Sequence, residues 1–224
     1  MKNQKLIITI DGPAGAGKST IAQMLAKRLD IDYLDTGALY RTVTYAALEA
    51  KCPLDDNDQL VALARACHIS FNDNKVFLNN TDVTDVIRSA TVSDQTHYIA
   101  RNTAIRAIIN QQQLAIGNAT GALITEGRDQ GSVVFSNAPF KFYLDAHTTQ
   151  RAQRRYDQMC ANAPEDMPNY DTILAAIKKR DLIDSTREVD PLTIPYGAIT
   201  IDSTHMTPEE VVDKMCAIVN GEQS

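Results

Sequence analysis

Leu6-Ile7-Ile8-Thr9-Ile10 is an unbroken, mostly β-branched run halted by Asp11, the pattern of a strand covered on both faces. From Lys18 to about Leu29 the period lengthens, and Ile21, Met24, Leu25 and Leu29 fall on one side of a helix. Further strands are expected at Ala122 to Thr125, Phe140 to Leu144 and Ala198 to Ile201, each followed by polar turn residues and a helix. Near the end, Thr207 reads as an N-cap, with Pro208 at the first helical position and Glu210 at the third; Val211, Val212, Met215 and Val219 then turn inward. Strands that alternate with helices in this way predict an α/β fold, a parallel sheet with helices on both faces.

Two segments interrupt the alternation. From His68 to about Val86, short period-2 pieces separated by Asn/Asp turns predict a small antiparallel meander inserted in the α/β core, either decorative or part of a substrate lid. From Asn162 to Asn169, Pro164, Glu165, Asp166 and Pro168 stand between two helical patterns and predict a mobile link.

Composition removes several classes of protein. With 224 residues, 44% hydrophobic and 22% charged, the chain can bury a sizeable core without disulfide or metal, so disorder and collagen-like repeats are excluded. Lys and Arg number 22 against 28 Asp and Glu, and the net charge of -6 gives no global attraction to nucleic acid or an anionic membrane. Any phosphate it binds must be held locally. The first apolar run is too short for a signal-peptide core and no later stretch approaches a membrane span, so a cytoplasmic location without membrane or nucleic-acid partners is expected. Cys52, Cys67, Cys160 and Cys216 are scattered singly and read as reduced, mostly core thiols; nothing makes His147 or His205 a metal ligand.

The chemistry follows the first strand. Gly12-Pro13-Ala14-Gly15-Ala16-Gly17-Lys18-Ser19 fits G-x-x-x-x-G-K-[ST] in full, between a buried strand and an amphipathic helix. Glycines let the backbone curl so that successive N–H groups face a phosphate, and the helix N-terminus adds partial positive charge. Lys18 brings a compact charge to β- and γ-phosphates, Ser19 a hydroxyl to Mg²⁺. A nucleotide-binding loop of this kind serves switches, motors and kinases alike. No Asn-Lys-x-Asp guanine-reading segment occurs, since Asn74-Lys75 continues with Val76-Phe77, and there is no Leu-Ser-Gly-Gly signature. A kinase needs a second anion-binding surface, and candidate arginines exist. Arg41 lies in Asp35-Thr36-Gly37-Ala38-Leu39-Tyr40-Arg41, where Thr36 suits either a phosphate contact or a helix cap. Arg128 lies in Gly127-Arg128-Asp129, past the carboxyl end of a strand, where open α/β sheets bind ligands. Arg151, Arg154 and Arg155, then Arg180, Asp181, Asp184 and Arg187, form two charge runs that read either as solvated helix faces or as anion-binding groups.

These separated blocks, together with Gly127-Arg128-Asp129-Gln130-Gly131-Ser132-Val133-Val134-Phe135 and Phe142-Tyr143-Leu144-Asp145-Ala146, resemble the bacterial cytidylate kinases, nucleoside monophosphate kinases of the P-loop superfamily. The resemblance runs from Leu6 to the last helix. It implies one three-layer P-loop domain over 1–224 with a parallel five-stranded core, a monophosphate-binding region over 36–117 with the antiparallel insert at 68–86, and a short helical lid over 151–187. It further implies MgATP as phosphoryl donor, with the cofactor Mg²⁺ met by Ser19, and CMP or dCMP as acceptor. Gly12, Pro13, Ala14, Gly15, Ala16, Gly17, Lys18, Ser19 and Thr20 would bind ATP; Lys18, Arg128, Arg151, Arg154 and Arg155 would supply catalytic charge. Arg41 and Arg128 would take the CMP phosphate, with Thr36 where Ser is usual, while Arg106, Asp129, Arg180, Asp184 and Arg187 would contact base and sugar. A monomer is expected. The sequence departs from the family pattern at His97, where a base-contacting Ser is usual, at Gln113-Leu114 for Gln-Arg, at Asn137 for Asp, and at Gln130 for an apolar residue.

Overall fold

The computed structural model describes residues 5–72, 75–162 and 168–221. The expected turn at Asp73 and Asn74 and most of the expected link, 163–167, lie outside the described residues. Two compact units form: residues up to Leu34 together with Thr120 onward, and Asp35–Ala119.

The first unit is built on a five-stranded sheet of β1 (Leu6–Asp11), β2 (Asp32–Asp35), β6 (Ala122–Gly127), β7 (Phe140–Asp145) and β8 (Ile199–Asp202), in the order β2-β6-β1-β7-β8. The central strand β1 pairs in parallel with β6 and β7, and β7 with β8. Its unbroken apolar run is explained by that position, since both faces are covered and Ile8 and Ile10 are fully buried. Ile8, Ile10, Ile124, Phe142, Leu144 and Ile201 pack with Ile21 and Leu25 of α1 (Lys18–Leu29) and with Val211, Val212 and Met215 of α8 (Pro208–Val219). The helix start expected at Thr207 is present as a full capping box with Glu210. Helices α6 (Thr148–Asn162) and α7 (Tyr170–Thr186) pack on each other through Ala152, Ile173 and Ile177.

One expected helix is replaced. After β6 the chain makes a single π-helical turn, Gln130–Val134, rather than an α-helix. Asp11 anchors this turn: its carboxylate accepts the N–H groups of Gln130 at 2.9 Å and Gly131 at 2.7 Å, donors at the start of a helical turn that have no partner within it. The turn also lies so close to β1 that a Cβ on Gly131 would stand 2.7 Å from Thr9 Oγ1.

The second unit has its own core. Leu39, Tyr40, Val43 and Ala47 of α2 (Thr36–Glu49) meet Leu60 and Ala64 of α3 (Asn57–Ala66), Ile99 of α4 (Ala90–Ala100), and Ile105 and Ile109 of α5 (Thr103–Ala119). The insert forms as an antiparallel sheet, β3 (Ile69–Asn72), β4 (Lys75–Leu78) and β5 (Thr81–Asp82), and lays Val76, with Val83 and Ile87 of the following segment, against Ala38 of α2.

Ile124 is fully buried at the centre of the first unit, so Ile124→Ala should cost about 2–5 kcal/mol of unfolding free energy in urea titrations. Tyr196, 97% exposed, provides the contrast: Tyr196→Ala should stay within about 0.5 kcal/mol of the parent.

Candidate active site

The β1–α1 turn forms the phosphate loop that its glycines call for. Gly12 sits at φ 152°, and a Cβ there would meet the Leu144 carbonyl oxygen at 2.0 Å, so no other residue fits. Gly17, at φ 93°, caps α1 and turns the chain into the helix. Lys18 is buried beneath the loop, with Nζ donating to the Pro13 carbonyl at 2.8 Å. Burial pushes its ammonium down to about 7, helped by the charge of Arg128 and opposed by Glu126, Asp11 and Asp184. Asp11 moves the other way: burial raises it to about 6, against the two backbone N–H bonds that favour its ionised form.

Ser19 Oγ donates to Glu126 Oε1 at 2.8 Å. Glu126 was not among the sequence candidates, yet it ends the strand beside β1 and puts a carboxylate next to the loop hydroxyl, the arrangement by which P-loop proteins hold a divalent cation with the nucleotide. An acidic residue at the carboxyl end of a predicted strand was the available signal. Asp11, the clamp on the π-helical turn, was missed likewise.

Beyond that turn the charges are grouped. Arg128 Nε donates to Asp184 Oδ2 at 2.8 Å, and Arg180 Nε to Asp184 Oδ1 at 3.1 Å. Burial opposes ionisation of Asp184, but the two guanidinium groups outweigh it and hold the carboxyl below its ordinary range. Asp129 is buried at the head of the π-helical turn. Arg187 folds back onto the Asp190 carbonyl. Of the three arginines on α6, Arg151 is buried and donates to the carbonyls of Ala146 and Ala14, both at 2.8 Å, to Thr148, and to Asp181 at 2.7 Å. Arg154 donates to Ser203 and reaches Ala16 O at 3.5 Å, whereas Arg155 bonds Gln158 on the exposed side. The α6 and α7 charge runs are therefore only in part solvated faces.

In the second unit the cap question at α2 is settled by Asp35, whose Oδ1 accepts Ala38 N–H at 3.0 Å; Thr36 is the first helical residue instead. Asp35 Oδ2 also takes Arg41 Nη2 at 2.8 Å and Arg88 Nη2 at 3.4 Å. Arg88 had no signal in the sequence, lying in a short 3₁₀ turn far along the chain. Arg106, fully buried on α5, donates to Ala100 O and places its guanidinium 5.5 Å from the Tyr40 ring centre. His97 bonds the Asp94 carbonyl through Nδ1 and packs its ring against Tyr98.

A parallel α/β core carrying a complete phosphate loop, a carboxylate on its serine and arginines tethered around it defines a P-loop phosphotransferase. The chain belongs to the cytidylate kinase family: the family model "Cytidylate kinase" matches residues 8–221. A cytidylate kinase of Caldanaerobacter subterraneus is 42% identical over 96% of this chain and 95% of its own, and one of Bacillus subtilis is 39% identical over 96% and 97%. Among solved structures, TT1252 from Thermus thermophilus shares the fold at a TM-score of 0.52 and 14% identity, covering 99% of both chains.

Phosphate oxygens beside Lys18 favour its charged form, so a nucleoside triphosphate bound at about pH 8, above the value of about 7, should draw in a proton. Calorimetry in buffers of differing ionisation enthalpy measures this. Binding heats that do not vary with the buffer at that pH would show that Lys18 gains no proton.

Proposed function

We propose that the chain transfers the γ-phosphoryl group of MgATP to the 5′-phosphate of CMP or dCMP, giving ADP and the diphosphate. The phosphate loop with Lys18 beneath it carries this reading, in a chain matched along nearly its whole length by cytidylate kinases. Two anions must meet in line, and a loose transition state spreads charge over the transferred oxygens, so positioning and positive charge do most of the catalysis. The loop from Gly12 to Thr20 would cradle the triphosphate, with Lys18 on the β- and γ-phosphates. Ser19 and Glu126 form an all-oxygen pair of the kind Mg²⁺ takes and would hold it together with nucleotide oxygens. An ion held there by Ser19 and Glu126 would supply positive charge to offset that of the nucleotide phosphates. Arg128, Arg151, Arg154 and Arg155 would supply further charge; Arg155 would have to leave Gln158 to do so. No general base is needed, because a phosphate monoester with a second pKa of about 6 is largely dianionic at neutral pH.

For the acceptor, Arg41 and Arg128 with Thr36 are assigned to the phosphate. Asp129 can accept from the cytosine N4 amino group and Arg106 can donate to N3 or O2, while Arg180, Asp184 and Arg187 serve base and sugar. Uracil reverses part of that pattern and would leave buried polar groups unpaired. The chain is proposed to act as one functional domain and as a monomer in the cytoplasm. Its net charge of -6 favours no nucleic-acid partner.

ADP release coupled to a spectrophotometric readout, with CMP, dCMP, UMP, AMP, GMP and shikimate offered in turn, tests the assignment. CMP and dCMP should be preferred by orders of magnitude. A preference for another acceptor would make it a different kinase, and acceptor-independent hydrolysis would mark a nucleotide-dependent switch. Lys18→Ala should lower kcat by orders of magnitude with the fold intact by circular dichroism. In the same assay Asp129→Asn should raise KM for CMP well above any change for ATP, because the new amide turns a donor toward N4; equal effects on both would remove Asp129 from base reading.

A further inference from the structure

Asp181 stands on α7 three residues before Asp184, and the phosphoryl-transfer reading gives its carboxylate no task. Oδ1 accepts the N–H of Ala14, inside the phosphate loop, at 3.2 Å. Oδ2 pairs with Arg151 Nη1 at 2.7 Å, and that same nitrogen donates to the Ala14 carbonyl at 2.8 Å. Both backbone groups of one loop residue are thus tied to a single ion pair, one partner on α6 and the other on α7. The side chains are 6% and 23% exposed, which shelters the pair from the screening that makes surface pairs weak. An N–H in a glycine-rich loop faces anions by construction. The anion seated here is carried by the chain itself.

We propose that Asp181 is a resident counter-anion of the phosphate loop, which a triphosphate must displace to gain Ala14 N–H and the Arg151 guanidinium. The inference rests on the phosphate-loop reading and is independent of which acceptor the enzyme uses. Three negatively charged phosphates and a fixed carboxylate repel one another across a short, poorly screened distance. Displacement costs the carboxylate one hydrogen bond and one ion pair, and it leaves the Arg151 Nη1 hydrogen that faced Asp181 for the incoming charge, while the bond to the Ala14 carbonyl can stay. Because Asp181 shares α7 with Asp184 and Arg180, its release also tells the helix that the loop is loaded. A carboxylate that merely braced the loop would have the opposite effect, since removing it would loosen the loop and weaken binding.

The test uses the full chain without acceptor. MgATP and inorganic tripolyphosphate are titrated calorimetrically into the parent, Asp181→Asn and Asp181→Glu. Asn keeps an oxygen for Ala14 N–H but loses the charge, so both ligands should bind roughly 5- to 50-fold tighter, while Glu should stay near the parent. Unchanged or weaker binding by a folded Asp181→Asn, or equal tightening by Asp181→Glu, would overturn the inference. In the parent itself, tripolyphosphate should lower hydrogen-exchange protection in the α7 segment around Asp181, and protection that stays constant there would overturn it as well. If the parent bound neither ligand, the phosphate-loop reading beneath the inference would fall with it.

Discussion

A buried cation must be matched by a carboxylate, and the first unit is arranged around that constraint. Lys18 lies below the phosphate loop, where burial pushes its ammonium down to about 7 because the protein interior disfavours the charge. Taking one ion out of water costs several kcal/mol even after relaxation. Arg128 and Arg151 incur the same cost, and the chain offsets it with Asp184 and Asp181, while Glu126 stands near enough to favour the charge on Lys18. Phosphates can take over from these carboxylates because they present the same kind of acceptor with more charge. A site made ready for anions is one whose cations are already held in place, and that preorganisation is what phosphoryl transfer draws on.

The backbone supports this arrangement from the strand side. Parallel register sets Asp11 opposite Gly127, so the first charged residue of β1 falls beside the end of β6. From there its carboxylate reaches the two N–H groups of the π-helical turn and fixes the chain that carries Arg128 and Asp129. Thus one aspartate, raised to about 6 by burial, links the phosphate loop to the segment assigned to the acceptor base. Protonation below that value would place a hydrogen against one of two donors and loosen the turn, which couples loop geometry to acid pH.

Much of the scaffold was legible in the sequence because period and punctuation report local structure. The β1 run, the α1 stripe, the meander and the Thr207 capping box all form where the pattern placed them, and the glycines of the loop could be read one by one. Partnerships across long chain separations were not legible. Ser19 meets Glu126, Asp11 meets Gly131 and Ala14 meets Asp181 only after the sheet and helices have assembled, and nothing in a charge's local surroundings names its partner. The α2 cap shows the same limit at short range: Asp35 and Thr36 are both good capping residues, and the choice fell to the one whose carboxylate could also hold Arg41 and Arg88.

The departures from the family pattern divide by unit. His97 and Leu114 lie in the second unit, on α4 and α5, where His97 is committed to Asp94 and Tyr98 and Leu114 is 40% exposed. Gln130 is different. It is buried in the first unit, accepts the Thr125 hydroxyl at 3.0 Å and reaches Asp129 Oδ1 at 3.5 Å through its own amide, so the polar group is accommodated where an apolar residue is usual. A donor beside Asp129 competes for the carboxylate proposed to accept from cytosine N4, and at 3.5 Å it competes weakly. Changes at this position can therefore adjust how firmly the base is read. The Lys18–Pro13 and Ser19–Glu126 hydrogen bonds need not change with them, because neither runs through Gln130 or Asp129.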